Sequence, residues 1–185
     1  MIGYDPAQYP NIWLEKEYYY DSRKMNRQKT DTEYGEDMLD FIKNYNVQSI
    51  YVDPSAASFK AELYKIGVDQ VEDADNDVLN GIRFVSQLLA NGTFKIHTDC
   101  TNIIKEFGTY VWDSKAAQRG EDKPLKENDH GIDSVRYALF THFGGDMSEP
   151  IKPKDIDRMY HEANQMQKPI PRVFQQPNEM GGAFF

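Results

Sequence analysis

His130, Asp133 and Tyr137 stand three and four residues apart in the stretch Asn128-Asp129-His130-Gly131-Ile132-Asp133-Ser134-Val135-Arg136-Tyr137-Ala138-Leu139-Phe140. On a helix, positions i, i+3 and i+7 stack on one face. An imidazole and a carboxylate would then face the same way, one turn apart. Ile132, Val135, Leu139 and Phe143 fall on the other side and would pin that helix to a core. Asn128 or Asp129 can cap the first turn, and Gly131 lets another group approach the backbone closely. A surface helix with ordinary polar residues is the plain alternative, because a His/Asp pair at this spacing is common.

A second carboxylate lies far upstream. Asp53, eighty residues before Asp133, closes the apolar run Val47-Gln48-Ser49-Ile50-Tyr51-Val52 and precedes Pro54, which cannot continue an interior ladder. Strand ends along one edge of an α/β sheet are where sites form. Carboxylates gathered there would repel one another unless a divalent cation neutralised them. Oxygen ligands with a little imidazole suit Mg²⁺ or Mn²⁺, whereas zinc favours nitrogen and sulfur. Two such ions about 3.5–4 Å apart would activate a water and stabilise the leaving oxygen of a phosphodiester. A strand-end aspartate making a turn and a helix aspartate in a salt bridge would account for the same residues without chemistry.

The elements needed to position these groups are legible along the chain. Residues 1–20 read as a hairpin, with turn signals at Asp5-Pro6 and Tyr9-Pro10 and a strand running from Ile12 into Tyr18-Tyr19-Tyr20. Thr30-Asp31-Thr32-Glu33 is a capping box, and the helix behind it presents Tyr34, Met38, Phe41, Ile42 and Tyr45 to a core. A helix over 55–66 is closed by Gly67, and Val68 to Val71 suggests a weak strand. Asp75-Asn76-Asp77 caps a helix that runs to Asn91-Gly92. Phe94-Lys95-Ile96 is a brief strand, Thr101 to Tyr110 another helix, and Asp113 to Glu127 a polar loop. Strands alternating with helices mean an α/β domain. The expected division is a domain over 1–146 and a proline-containing tail over 147–185, with at most one short helix around Asp155 to Gln165.

Composition narrows the function. The chain has 185 residues, 39% hydrophobic and 28% charged, ordinary for a soluble globular protein. No apolar run reaches the about 20 residues of a membrane span, and no signal-peptide pattern opens the sequence. With Cys100 the single cysteine, an intramolecular disulfide and a cysteine metal cage are excluded, and a reducing, cytoplasmic setting fits. A net charge of −9 argues against a free-standing, general nucleic-acid binder. It leaves room for a metal-dependent nuclease, whose site must itself be acidic. Local DNA contacts would fall to Arg83, Lys115, Arg119, Lys123 and Lys126; the last four share their loop with Asp113, Glu121, Asp122 and Glu127, so a solvated, charge-balanced loop is the alternative.

Tyr51-Val52-Asp53-Pro54-Ser55-Ala56-Ala57-Ser58-Phe59 and Asn128 to Ala138 resemble the nuclease motifs of large terminase subunits of tailed bacteriophages. Asp75 to Arg83 and Lys16 to Lys24 resemble the same family, in the family's order. The resemblance is dense from about residue 1 to 145. It implies a ribonuclease H-like mixed central sheet flanked by helices, and cleavage of double-stranded, concatemeric DNA during packaging with Mg²⁺ or Mn²⁺ at a two-metal site. It implies three acidic ligand positions: Asp53 matches the second, Asp133 the third, with His130 beside it, as catalytic and metal-binding residues. The first aspartate, in the family an Asp-Tyr-Gly motif upstream of the hairpin, has no match; Asp5 differs from it in position, and the expected domain is N-terminally truncated. By the same resemblance the partners are double-stranded DNA, a terminase ATPase domain, the small terminase subunit and the portal protein, in the cytoplasm of an infected or lysogenic bacterial host. The sequence contains no Gly-Lys-Ser/Thr phosphate loop. A non-catalytic remnant or interaction module that keeps the fold is the second reading. A small-molecule phosphatase or generic α/β binder is a third, without a motif in its favour.

Overall fold

The first pairing is local. Strand β1 (Ile2–Tyr4) runs antiparallel to β2 (Ile12–Leu14), with Ile2 opposite Leu14 and Tyr4 opposite Ile12. The other edge of β2 takes a distant partner, β5 (Phe94–Ile96), in parallel register, Ile12 opposite Phe94. These three make a mixed sheet in the order β1-β2-β5. A second, parallel pair joins β3 (Ile50–Val52) to β4 (Val71–Asp73) through helix α2 (Ala57–Lys65), the kind of crossover that parallel strands require. The computed structural model describes residues 1–5 and 11–144. The turns at Pro6 and Pro10, the helix expected around 155–165 and the 147–185 tail lie outside the described residues.

The strands are shorter than the apolar runs suggested. The strand expected to reach Tyr20 stops at Leu14, and the three tyrosines leave the sheet to bond elsewhere: Tyr18 to Asp37, Tyr19 to Glu106 and Tyr20 to the Arg27 carbonyl. The strand sought over 68–71 begins only at Val71. Helix α2 closes with the Gly67 N–H on the Tyr64 carbonyl and the Val68 N–H on the Leu63 carbonyl, while Gly67 sits at φ +86°. That two-bond stop uses the Val68 amide, so the strand starts later.

Some helix starts follow the local chemistry and others are set from a distance. Helix α1 (Asp31–Ile42) has the full capping box, with the Glu33 N–H donating to Thr30 Oγ1 and the Thr30 N–H to Glu33 Oε2. In α3 (Val78–Ala90), Asp77 Oδ1 accepts the Asn80 N–H. Helix α4 (Thr101–Thr109) is received instead by Glu17, whose carboxylate accepts the Asn102 and Ile103 N–H groups at 3.0 Å each. A four-residue helix, α5 (Ser114–Ala117), interrupts the expected polar loop because Asp113 caps it through Lys115 and Ala116.

Helix α6 (His130–Phe143) packs against α3, α4 and β3. Its Val135 and Leu139 join the main core of Ile12, Leu14, Phe84, Leu88 and Phe94. A smaller core of Val52, Leu63, Val68 and Val71 lies under α1 and α2. The expected cap of α6 is different from the one found. Asp129 is the residue before the helix, but its side chain makes no capping bond. Glu106 of α4, only 4% exposed, does this instead: Oε2 accepts the Gly131 N–H at 2.7 Å and the Ile132 N–H at 3.0 Å, and Oε1 accepts the Tyr19 hydroxyl. A Cβ on Gly131 would come within 2.7 Å of Ile103 Cγ1 and 2.9 Å of Glu106 Oε2, so only glycine admits this carboxylate. The negative charge also meets the positive end of the helix dipole. Among the described residues no helix is long and apolar enough to cross a membrane.

Removing the Glu106 carboxylate strands two buried amides. Glu106→Ala is expected to lose about 1–3 kcal/mol of stability, the usual cost of leaving buried donors unpaired. Urea denaturation followed by circular dichroism measures it. A midpoint equal to the parent's would mean that the cap contributes nothing.

Candidate functional site

Asp53 stands directly after β3, where Pro54 and Ser55 turn the chain. Its Oδ1 accepts both the Ser55 N–H at 2.8 Å and the Ser55 hydroxyl at 2.6 Å, the self-bonded turn that aspartate forms two residues on. Its Oδ2 accepts the Tyr137 hydroxyl at 2.6 Å, across from α6. The Ser55 hydroxyl, the Tyr137 hydroxyl and the Ser55 amide, helped by the more distant Arg136 charge, hold the Asp53 carboxyl down to about 2. The Tyr137 phenol is pushed up to about 12, by burial first and by the Asp53 carboxylate next.

One turn earlier on α6 is Asp133. Its Oδ1 accepts from Arg136 Nη2 at 2.9 Å and Nε at 3.3 Å, and its Oδ2 accepts from Lys126 Nζ at 3.1 Å. Arg136 is 2% exposed; its Nη1 donates to the Asp77 carbonyl at 3.1 Å and its guanidinium carbon lies 4.7 Å from the centroid of the Tyr137 ring. The space for it comes from α3: a Cβ on Gly81 would lie 2.7 Å from Arg136 Cγ and 2.8 Å from Cδ.

Two buried oxygens near this cluster lack hydrogen-bond partners among the described residues, Asp129 Oδ2 and the Tyr110 hydroxyl. Asp129 Oδ2 lies 3.2 Å from Lys126 Nζ, an ion pair that is its one close polar contact among the described residues. Tyr110 has its phenol pushed up, by burial first and by the negative charge of Asp133 next.

The structure ties Asp53 to the helix that carries Asp133, each carboxylate bonded to one of two consecutive residues, Tyr137 and Arg136. His130 is different. It is exposed at the first position of α6, and its ring makes no hydrogen bond or ion pair with the described residues. Arg83 is exposed on α3, and Lys115, Arg119 and Lys123 are exposed along the 113–127 segment, where Arg119 and Lys123 pair with Glu121 at 3.7 and 2.8 Å. Lys126 turns from that segment to the carboxylates. Sequence reasoning missed Arg136, Glu106 and Asp129 as parts of the site. Ser55 was detectable, since an aspartate two residues before a serine in a turn is a known self-bonding pattern.

The donors suit a hard divalent cation in type, being carboxylates, with Asp53 held ionised and Asp129 carrying an oxygen that accepts no hydrogen bond. Each oxygen of Asp53 and Asp133 already accepts from protein, and among the described residues no group of three or more His, Cys, Asp or Glu is arranged to hold a metal. A cation would enter by replacing one of the protein's own donors.

Comparison with known proteins agrees with this topology. Residues 13–141 match the family described as the Terminase RNaseH-like domain, a span from β2 into α6 that takes in both carboxylates. The chain is 26% identical over 155 residues to the large terminase subunit of Escherichia phage T5, covering 76% of this chain and 35% of that protein. Of the solved structures, the large terminase of a thermophilic bacteriophage in complex with ADP superposes with a TM-score of 0.69 at 45% identity, over 74% of this chain and 35% of that one. The same phage protein in complex with ATP-gamma-S gives 0.68 at 45% identity, over 72% and 34%. The chain spans about a third of the length of these relatives.

The Tyr137–Asp53 bond has a titration signature. Tyr137→Phe removes one donor, so the Asp53 carboxyl should rise from about 2 toward its ordinary 3.8, read by carboxyl-carbon NMR titration. With a depressed folded value, the contribution of Asp53 to stability is complete above about pH 4 and is lost as pH falls through about 2. Tyr137→Phe should flatten the acid limb of the stability curve in that window. An unchanged Asp53 titration would show that the hydroxyl does not hold the carboxylate.

Proposed function

The chain belongs to the terminase RNaseH-like domain family, and on that footing we propose that it is a metal-dependent endonuclease domain cutting double-stranded, concatemeric DNA during genome packaging. One observation carries the reading: the Tyr137 hydroxyl ties the strand-end carboxylate Asp53 to the helix on which Asp133 stands one turn earlier. Asp53 and Asp133 would hold Mg²⁺ or Mn²⁺, with His130 offering an imidazole nitrogen at the exposed start of the same helix. The bound ions would supply an activated water and stabilise the departing oxygen of the phosphodiester.

The chain's own residues prepare that chemistry. Ser55 and Tyr137 keep Asp53 ionised and fixed in direction, so it presents negative charge across the physiological range. Arg136 fixes Asp133 from beneath, out of solvent. DNA would be met by Arg83, Lys115, Arg119, Lys123 and Lys126, and its binding should weaken steeply with salt, as contacts to phosphate do. The small terminase subunit, the portal protein and a terminase ATPase domain are the proposed protein partners, in the bacterial cytoplasm. A second reading, an interaction module that keeps the fold without cleavage, is favoured by the protein donors already on both carboxylates and by the absence of a three-acid group among the described residues.

Two measurements separate them. Millimolar Mn²⁺ should raise the melting temperature, because an ion that binds only the folded state stabilises it, and Asp53→Asn should shrink that rise. Plasmid nicking with Mn²⁺ should fall about a hundredfold or more in Asp53→Asn and in Asp133→Asn, the scale on which positioned charges act in catalysis. Asparagine at 133 keeps an acceptor for Arg136 but removes the partner charge of that buried guanidinium, so its nicking is compared at a temperature where circular dichroism shows the variant folded. Nicking unaffected by either change would overturn the site. No nicking and no thermal shift would leave the interaction module.

A further inference from the structure

Lys126 occupies a position that no sequence pattern predicts. Its ammonium lies 3.1 Å from Asp133 Oδ2 and 3.2 Å from Asp129 Oδ2. Asp129 is 6% exposed, its Oδ2 faces that ammonium, and the same oxygen accepts no hydrogen bond. Asp133 and Asp129 are thus held by one flexible point charge, reached from the segment before the helix. Lysine suits such a temporary role better than arginine: it is a compact ammonium on a flexible stem, without the planar fork that locks onto a carboxylate. Arg136 makes the permanent contact, buried and bonded also to the Asp77 carbonyl, whereas the Lys126 side chain is 58% exposed and can swing out.

The surroundings also call for something other than an ammonium. The buried Asp129 Oδ2 meets only this largely exposed ammonium, at 3.2 Å, and the buried Tyr110 hydroxyl has no hydrogen-bond partner among the described residues. Buried polar atoms are rarely left so unless a water or ion completes them. A hydrated divalent cation would answer both, taking carboxylate oxygens as ligands and offering water to the phenol.

We infer that Lys126 is an exchangeable counter-ion: its ammonium holds Asp129 and Asp133 until a divalent cation displaces it, and Asp129 then serves as a further carboxylate ligand. The exchange keeps the acid pair neutralised in either condition. It also links metal loading to release of Lys126, which is then free to meet a DNA phosphate. This rests on the metal-dependent reading above and adds to it a residue and an order of events.

Isothermal titration of the 185-residue chain with Mn²⁺, without DNA, tests it apart from activity. Lys126→Met should bind Mn²⁺ about three- to tenfold more tightly, the scale of releasing two partly exposed ion pairs. Lys126→Arg should bind no more tightly than the parent. Lys123→Met removes an equal charge paired to Glu121 and should change affinity by less than about twofold. Asp129→Asn should bind more weakly than the parent. Equal tightening in Lys126→Met and Lys123→Met would reduce the effect to net charge and overturn the exchange, as would Lys126→Met with unchanged or weaker binding; unchanged binding in Asp129→Asn would overturn its role as ligand. If Mn²⁺ binding is lost in Asp133→Asn yet indifferent to Lys126, only this inference falls. Should the parent bind no Mn²⁺ at all, the metal-dependent function falls with it.

Discussion

A guanidinium buried to 2% exposure is the constraint on which the site depends. Desolvating a charge of that kind is tolerated only when a partner charge and further hydrogen bonds compensate it, and breaking such a pair from one side costs about 3–5 kcal/mol. Arg136 finds its partner one turn back in Asp133 and its remaining acceptor in the Asp77 carbonyl at the start of α3. Its methylenes lie where any side chain at position 81 would stand. One residue therefore fixes the direction of a candidate metal-binding carboxylate, the docking of α3 on α6 and the identity of Gly81. Asp133 is for the same reason a structural residue as well as a candidate catalytic one.

Helix α6 is the element that both sheets share. Val135 and Leu139 enter the core under the mixed sheet, while Tyr137 reaches the end of β3 in the other pair. Near its far end, His142 lies between Tyr51 of β3 at 2.8 Å and Tyr4 of β1 at 3.3 Å, so one imidazole touches both sheets. Its first turn is held by Glu106, in the same manner that Glu17 holds α4. In both cases an acid from another element receives free amides, which ties the orientation of the helix to tertiary packing and not to its own cap.

Electrostatics would let an acidic chain meet the anionic partner proposed for it. At the junction Arg136 and Lys126 balance Asp133 and Asp129, while Asp53 keeps its negative charge, stabilised by the Ser55 and Tyr137 hydroxyls. The bases along the 113–127 segment are exposed, and two of them already neighbour Glu121. Binding of nucleic acid through such patches is local and screened within about 10 Å at ordinary salt, so the net charge of −9 limits non-specific affinity without forbidding a specific contact.

What the sequence determined by itself is whatever depends on near neighbours in the chain. The capping box at Thr30, the Asp77 cap, the Gly67 stop and the strand at Phe94–Ile96 are each decided within about six residues, and each is found where expected. The apolar stripe of α6 and the polar face carrying Asp133 and Tyr137 follow equally from helical period, and the motifs around Asp53 and Asp133 resembled the family to which the chain belongs. Tertiary structure decided the rest. That Glu106 and not Asp129 caps α6, that Arg136 is buried, and that Lys126 leaves its loop for two carboxylates are outcomes of which groups meet across 25, 59 and 7 residues of chain. A sequence pattern records the period of an element but not what packs opposite it, and a charge is buried or exposed according to what lies opposite.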